Sequence, residues 1–371
     1  MDDQRTISMF DPQLSEDTVA QVSECLRSGR ISEGARVKEF ERRFAEEFGL
    51  PRGVAVNSGT AGLHLAMLGA GVGPGDEVVT TAQTFVASAM AVLYAGGTPV
   101  FADIVPGGPN LDFADVERCV TPRTKAILVV HYGGYPCDMD EILAVANRHG
   151  LAVIEDAAHA LGATYRDAVV GALGDFAVFS FQAIKHLTTG DGGMLVCRDE
   201  AQNEVARRRR WFGIDRDNRT PNDAGGMDWD ISELGFKYHM NDVAAAIGLG
   251  QLPLVAEALA RRQSLDRRYR DRLAGVGGLR LMPEAADRAS ACWLFTMLVE
   301  NRAEFVRAMV SRGVEAGSWH RRVDTNSLFA HHGRELPNLQ AFDRSQVSVP
   351  LRESLTDDEV ECILEAVCQG W

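Results

Sequence analysis

Residues 179–194 read Phe-Ser-Phe-Gln-Ala-Ile-Lys-His-Leu-Thr-Thr-Gly-Asp-Gly-Gly-Met, which places Lys185 between an apolar strand carrying Ser180 and a glycine-rich turn. A loop at a strand end lets a lysine amine reach a bound aldehyde such as that of pyridoxal phosphate (PLP), whose phosphate the serine can hold. A lone lysine near glycines is more often a solvated loop residue. The segments upstream favour the catalytic interpretation.

An apolar strand upstream ends in two acids. Residues 151–159 read Leu-Ala-Val-Ile-Glu-Asp-Ala-Ala-His and place Asp156 at the carboxyl end of this strand. Open α/β sheets bind ligands at such ends, and an aspartate there can pair with a protonated pyridine nitrogen. A helix N-cap is the alternative role for Asp156, and His159 is either a ring contact or a half-buried histidine with satisfied hydrogen bonds.

Two segments nearer the start offer a phosphate turn and an aromatic ring. Residues 53–64 predict a short strand, a turn at Ser58, Gly59 and Thr60, and an apolar helix. A helix N-terminus presents unpaired N–H donors, so this turn can cradle a phosphate, although ordinary capping by Ser58 or Thr60 fits as well. Phe85 follows the next predicted strand, where it can stack on a pyridine face or belong to the core.

In this order, the four segments resemble the DegT family of sugar aminotransferases, within the fold-type I class of PLP enzymes. The resemblance covers nearly the whole chain, from residues 28–34 to residues 235–252. It implies that Lys185 bonds covalently to PLP and that Asp156 meets the ring nitrogen. It further implies phosphate contacts from Ser58, Gly59, Thr60 and Ser180, with Phe85 and His159 on the two ring faces.

The motif at residues 235–240 departs from the family pattern. Lys237 and His239 stand where many relatives have asparagine and arginine. Since that asparagine commonly reaches the cofactor phosphate of the neighbouring subunit, the resemblance implies a homodimer in which Lys237 serves the neighbour's site as a point charge. A dehydratase branch of the family has a histidine in place of the lysine, and Lys185 argues against that branch.

Alternating strand and helix patterns predict an α/β fold. The rhythm from residue 54 to residue 197 favours a mostly parallel sheet with helices on both faces, as in fold-type I PLP transferases. We expect an N-terminal arm and first helix over residues 1–35, a large PLP-binding domain over 36–250, and a smaller C-terminal α+β domain over 251–371. An exposed loop is predicted at 217–226 and a strand at 313–318.

Composition and charge limit the kinds of molecule that the protein is expected to bind. The 371 residues are 46% hydrophobic and 24% charged, and a net charge of −14 disfavours nucleic acid. Residues 207–210 are four arginines, which usually form a salt-bridged helix face and less often bind an anionic substrate. Seven cysteines without a Cys-x-x-Cys pair and a start without signal-peptide features predict a cytoplasmic protein. We expect no metal site and no membrane span, because polar residues, Gly97 and Pro99 interrupt the uncharged stretch 78–102.

The resemblance implies a transaminase that uses PLP. L-glutamate is the expected amino donor, and a nucleotide-linked keto-deoxysugar of amino-sugar biosynthesis is the expected acceptor. His320 and Arg321 follow the predicted strand at 313–318 and are candidates for acceptor binding, with an exposed loop cluster as the alternative. A keto-cyclitol acceptor, a non-catalytic PLP-binding regulator and a PLP enzyme of another reaction type stay open.

Overall fold

A computed structural model describes residues 6–216 and 218–371 of the chain. Its strands are β1 (Val54–Val56), β2 (Glu77–Thr81), β3 (Thr98–Ala102), β4 (Thr124–Val130), β5 (Ala152–Asp156), β6 (Thr164–Tyr165), β7 (Ala168–Val169), β8 (Phe176–Ser180), β9 (Gly193–Cys197), β10 (Thr220–Pro221), β11 (Met227–Asp228), β12 (Leu279–Leu281), β13 (Arg288–Ala289), β14 (Phe295–Val299) and β15 (Gln346–Val349). Its α-helices are α1 (Glu16–Arg27), α2 (Ala35–Phe48), α3 (Gly59–Gly69), α4 (Ala87–Tyr94), α5 (Phe113–Cys119), α6 (Met139–His149), α7 (Glu200–Arg209), α8 (Asp242–Gln251), α9 (Val255–Leu273), α10 (Arg302–Ser311), α11 (Pro337–Ser345) and α12 (Asp357–Cys368).

A seven-stranded sheet forms the centre of the molecule. Its strand order is β1-β9-β8-β5-β4-β2-β3, and the pairs from β8 to β3 are parallel while β9 runs antiparallel to both of its neighbours. Strand β4 is buried along nearly its whole length, as expected for a parallel strand covered on both faces. The prediction of a mostly parallel sheet flanked by helices is confirmed.

The sheet brings the predicted site segments to one edge. Strands β5 and β8 are parallel, so Asp156 and Ser180 end at the same edge. Strand β1 runs antiparallel to β9, and β9 antiparallel to β8, so β1 also points towards this edge. Helix α3 therefore starts beside these strand ends, with Ser58 as its N-cap.

Helix α2 follows from its apolar spacing. Phe40 and Phe44 lie one turn apart, are fully buried and join Phe48 against the sheet. Gly49 ends the helix in a left-handed conformation with φ of 62°, which a glycine adopts without steric cost. Helices α1 and α2 pack on α8.

The helical stretch Asp242–Leu273, which contains α8 and α9, is long and apolar enough to cross a membrane by length and composition alone. Half of its most apolar window is buried inside the protein, and the core helix of a folded domain passes the same test.

The C-terminal part contains a three-stranded antiparallel sheet of β12, β14 and β15. Its core also takes in Ile7 from the N-terminal arm. The predicted strand at 313–318 is wrong. Val314 bridges Ile7 whereas Gly317 bridges Ser348, and two single bridges to different partners do not make a ladder. The domain boundary near residue 250 stays a prediction.

The predicted exposed loop at 217–226 carries a short hairpin. Strands β10 and β11 pair with each other, and both are exposed. Residue 217 lies outside the described residues. Helix α4 begins at Ala87, and Thr84 and Phe85 belong to the turn that precedes it.

Candidate active site

A cavity of about 360 Å³ lies at the carboxyl edge of the central sheet. Several elements meet there: the start of α3, the ends of β5 and β8, the turn before α4, and two segments of the C-terminal part. Its wall includes the predicted residues Ser58, Gly59, Thr60, Phe85, Asp156, His159, Ser180, Lys185 and His320. The sheet thus brings together residues that lie as far as 262 positions apart, from Ser58 to His320.

Lys185 projects from the turn that follows β8. Its backbone N–H donates to the carbonyl of Gln182, and the Gln182 side chain accepts from Ile184 N–H, so local hydrogen bonds fix the turn. The Lys185 Nζ atom lies 3.8 Å from the ring centroid of Trp293. Desolvation lowers the pKa of Lys185 to about 7, although the nearby Asp156 carboxylate raises it. A lysine with this pKa exchanges protons near neutral pH.

Asp156 ends β5 with its carboxylate buried. Ser88 Oγ donates to Asp156 Oδ2 at 2.7 Å, and the Ala158 N–H donates to Oδ1 at 3.2 Å. Burial raises the pKa of Asp156, while these two hydrogen bonds and the charge of Lys185 lower it. A cationic ring nitrogen beside this carboxylate would favour its ionised form further.

The start of α3 forms the turn expected to hold a phosphate. Ser58 Oγ accepts from Ala61 N–H at 3.1 Å, so Ser58 caps the helix, and Gly59 and Thr60 follow in its first turn. A Cβ on Gly193 of β9 would lie 2.8 Å from the Gly59 nitrogen, so glycine is required at residue 193 for this close approach. A dianion fits at this helix end beside Ser180.

Three flat rings are stacked at the back of the cavity. The His159 and Trp293 rings have centroids 3.8 Å apart and planes 9° apart, and His320 is parallel to His159 at 5.1 Å. Burial lowers the pKa of His159 well below its ordinary value and that of His320 to about 3, so both imidazoles are neutral. Phe85 lies at the opening, 57% exposed, with its ring 5.7 Å from that of His320.

Polar atoms in this wall are available to a ligand. Within the described residues, His159 Nδ1 and His320 Nε2 are buried and have no hydrogen-bond partner. Buried polar atoms are nearly always hydrogen-bonded in proteins. These two nitrogens, the carboxylate of Asp156 and the amine of Lys185 together fit a flat, polar, phosphorylated cofactor such as PLP.

A buried amide network attaches the His320 loop to the large sheet. Gln83 Nε2 and Gln346 Nε2 donate to the His320 carbonyl at 2.7 and 3.0 Å. Tyr132 donates its hydroxyl to Gln346 Oε1 at 3.1 Å. The network holds the His320 backbone in place beside the cavity.

Two predicted site residues are not among those that line the cavity. Arg321 forms a bidentate pair with Asp343, with distances of 3.1 and 2.7 Å, and its side chain is 61% exposed. The Lys237 Nζ atom lies 3.7 Å from the ring centroid of Trp211. Their roles in binding stay predictions.

The arginine run at 207–210 is a salt-bridged face. Arg207 and Arg210 pair with the buried Glu41, while Arg208 and Arg209 share Glu233. The first of the two interpretations of this run is therefore confirmed, and these arginines do not line the cavity.

Sequence reasoning missed Trp293, Ser88 and the amide pair Gln83 and Gln346. The sequence held a usable signal for Ser88, because its hydroxyl lies four residues after that of Thr84, near the start of a helix. Trp293 and Gln346 had none, since their partners are distant in the chain.

Comparison with known proteins assigns the chain to a family. Residues 12–368 match the DegT/DnrJ/EryC1/StrS aminotransferase family. The chain belongs to this family. SpsC, a spore coat polysaccharide biosynthesis protein of Bacillus subtilis (strain 168), is 38% identical over 96% of this chain and 95% of its own. GDP-perosamine synthase of Caulobacter vibrioides is also 38% identical, over 100% of this chain and 99% of its own.

Solved structures agree with this assignment. The sugar aminotransferase CalS13 from Micromonospora echinospora has a TM-score of 0.94 and 36% identity, covering 98% of this chain and 100% of that one. Spr1654 from Streptococcus pneumoniae, a putative sugar aminotransferase in its PLP form, has a TM-score of 0.91 and 28% identity, covering 98% of each chain. The predicted membership of the DegT family of PLP-dependent sugar aminotransferases is confirmed, and so is its fold. The protein is a PLP-dependent aminotransferase.

Proposed function

We propose that the protein moves an amino group from L-glutamate to a keto group on a nucleotide-linked deoxysugar and works as a homodimer. The observation that carries this proposal is the joint presence, in one cavity, of the Lys185 amine, the Asp156 carboxylate and the N-terminus of α3. These are the three groups that PLP requires: an amine for its aldehyde, an anion for its ring nitrogen and donors for its phosphate.

The residues of the cavity would hold PLP by its phosphate, its ring nitrogen and its ring faces. The first turn of α3 and the Ser180 hydroxyl would bind the phosphate, and the Asp156 carboxylate would pair with the ring nitrogen. His159 and Phe85 would flank the ring. Bound PLP supplies the electron sink for the bond that breaks at the donor α-carbon.

Lys185 is the acid and base in this proposal. Its pKa of about 7 leaves a substantial fraction of the amine neutral at physiological pH. Once the amino donor has displaced Lys185 from the cofactor, the neutral lysine amine would accept the proton from the donor α-carbon and donate it back to the cofactor. Proton transfer by a positioned side chain contributes about 10²–10⁴-fold to a rate.

The sugar acceptor is supported by the relatives and by charge. GDP-perosamine synthase and PseC, an aminotransferase of pseudoaminic acid biosynthesis in Helicobacter pylori, are among the similar proteins. Among the described residues that line the cavity, Lys185 is the one lysine or arginine. A nucleotide diphosphate needs more cationic groups than this, so we place them on a second subunit or on the rim, where Arg321 is exposed.

A second subunit has a surface to bind. Phe212, Trp229, Ile231 and Leu234 are exposed, the last of them by 79%. Exposed apolar residues gathered along one segment mark an interaction surface. Lys237 follows this segment directly, and we propose that it reaches the phosphate site of the neighbouring subunit. A two-fold dimer is the commonest oligomer.

All seven cysteines are free thiols, two of them exposed. Free exposed thiols persist in reducing compartments, and we therefore propose a cytoplasmic location.

Two half-reactions test the proposal separately. L-glutamate added to the PLP-loaded enzyme should bleach the visible absorbance of the lysine-bound cofactor and release 2-oxoglutarate. The amino form is then challenged with nucleotide-linked keto-sugars and with keto-cyclitols. Absorbance that returns with the nucleotide sugars supports the proposed acceptor. If the absorbance returns with keto-cyclitols alone, the proposed sugar acceptor is wrong, and the assignment as an aminotransferase still holds.

A further inference from the structure

A chain of hydroxyl groups leads to the Asp156 carboxylate. Ser88, in the first turn of α4, places its Oγ atom 2.7 Å from Asp156 Oδ2. Thr84 Oγ1 lies 2.7 Å from Ser88 Oγ. All three side chains are buried.

The direction of these hydrogen bonds follows from the number of protons that each group can donate. An ionised carboxylate only accepts hydrogen bonds, and a serine hydroxyl has one proton to donate. Ser88 therefore donates to Asp156, and Thr84 donates to Ser88. The other acceptor within reach of Ser88, the carbonyl of Phe85, lies at 3.4 Å and is the weaker partner.

The carboxylate is held at both oxygens. Oδ1 accepts from the Ala158 N–H, while Oδ2 accepts from Ser88. The charged and titratable groups that act on Asp156 are Lys185, across the cavity, and His131 on the neighbouring strand end. The His131 N–H donates to the Asp156 backbone carbonyl at 3.3 Å, but among the contacts of the described residues neither Lys185 nor His131 bonds to the carboxylate. Ser88 therefore provides the side-chain bond that fixes the plane of the carboxylate.

We propose that Ser88, supported by Thr84, is a positioning residue for Asp156. The hydroxyl orients the carboxylate towards the pyridine nitrogen and favours its ionised form, because both hydrogen bonds are donated to the charged state. The inference rests on the proposed role of Asp156. Ser88 acts through Asp156 and does not itself touch the reacting atoms.

Four variants test this inference in the PLP-loaded enzyme: Ser88→Ala, Ser88→Thr, Thr84→Val and Thr80→Val. The last is the matched control, since Thr80 also loses a buried hydroxyl, one bonded to the Leu128 carbonyl and not to Asp156. Three quantities are measured: the apparent dissociation constant of PLP, the pH midpoint of the visible absorbance of the bound cofactor, and kcat and KM of the glutamate half-reaction.

Ser88→Ala should weaken PLP binding and lower kcat on the order of 10-fold each, the size of one hydrogen bond to a charged group. The absorbance midpoint should shift as well, and the KM for glutamate should change little. Ser88→Thr keeps the hydroxyl and should restore the wild-type midpoint. Thr84→Val should shift the midpoint in the same direction as Ser88→Ala but less, and Thr80→Val should leave it unchanged.

Asp156→Asn separates the two levels of inference. Suppose that Asp156→Asn is inactive, while Ser88→Ala binds PLP with the wild-type affinity and shows the wild-type pH midpoint of absorbance. The positioning role proposed for Ser88 is then refuted, and the proposed function stands. If Asp156→Asn keeps full activity, the role of Asp156 is wrong, and that of Ser88 with it. Equal effects of Ser88→Ala and Thr80→Val would also overturn the inference, because they would reduce it to a general loss of packing.

Discussion

The Trp293 indole stacks on the His159 imidazole with centroids 3.8 Å apart and planes 9° apart. The two residues come from different parts of the molecule, Trp293 from just before β14 and His159 from just after β5. Trp293 also donates from Nε1 to the Ile184 carbonyl at 3.0 Å, next to Lys185. One side chain thus connects His159 to the turn that carries Lys185.

Replacement of this tryptophan should destabilise the protein. Trp293→Ala removes a fully buried ring and should lower the free energy of unfolding by about 3–5 kcal/mol, measured by urea titration of the cofactor-free protein. Trp293→Phe keeps a flat ring and should lose less. Trp319→Ala is the control, because that indole is partly exposed. Equal losses of unfolding free energy in Trp293→Ala and Trp319→Ala would contradict a special contribution of the stacked Trp293 ring to stability.

Lys185→Ala should abolish transamination and leave a folded protein. The phosphate and ring contacts do not depend on the amine, so the variant should still bind PLP, only more weakly. Borohydride reduction followed by peptide mass spectrometry should place the cofactor adduct on Lys185 in the wild type. An adduct on another lysine would refute the assignment of Lys185. Lys125→Ala, which removes an exposed lysine, is the control variant and should keep both the adduct and the activity.

The low pKa of Lys185 has a direct chemical consequence. Desolvation lowers this pKa to about 7 in the cofactor-free protein. Only the neutral amine acylates, so labelling at Lys185 should rise with pH through a midpoint near 7. Solvated lysines in peptides titrate with a pKa of about 10.4. Competitive labelling read by mass spectrometry gives the pH midpoint of labelling at Lys185 and at the exposed lysines. The same midpoint at Lys185 and at the exposed lysines would contradict desolvation of Lys185 in the cavity.

Some elements were predictable from local pattern alone. The spacing of Phe40, Phe44 and Phe48 indicates the buried face of α2, and the apolar run before Asp156 predicts β5 to within one residue. Periodicity states which face is buried, and parallel strands bring their carboxyl ends together. The site residues at these ends were therefore predictable as a group.

Long-range side-chain pairing was not predictable. Gln83 and Gln346 are 263 residues apart and meet because the C-terminal part folds back onto the sheet. No periodicity or turn signal specifies such a partner. The same holds for the segment at 313–318, where Val314 bridges Ile7 and Gly317 bridges Ser348.

The amide network should affect the acceptor more than the donor. Gln346→Leu removes a donor to the His320 carbonyl and the acceptor for the Tyr132 hydroxyl, leaving buried groups unpaired. We expect the KM for the nucleotide-linked keto-sugar to rise on the order of 10-fold, since the loop carrying His320 loosens. The glutamate half-reaction should change by less than about 2-fold. Gln340→Leu, on the exposed face of α11, is the control. Equal effects on both half-reactions would count against a role in acceptor binding.

Lys237 provides the sharpest test of a shared site. In its own chain its amine lies over Trp211 and does not line the cavity. If it serves the neighbour's phosphate site, Lys185→Ala and Lys237→Ala are each defective alone, but in a hybrid dimer both lesions fall in one site and the other site is intact. Random mixing makes half of the dimers hybrids, each with one working site, so activity should recover to about a quarter of the wild-type level. If Lys237 instead serves its own chain, every hybrid site carries one lesion and no activity returns. Two affinity tags establish that hybrids form, which makes the absence of recovery decisive.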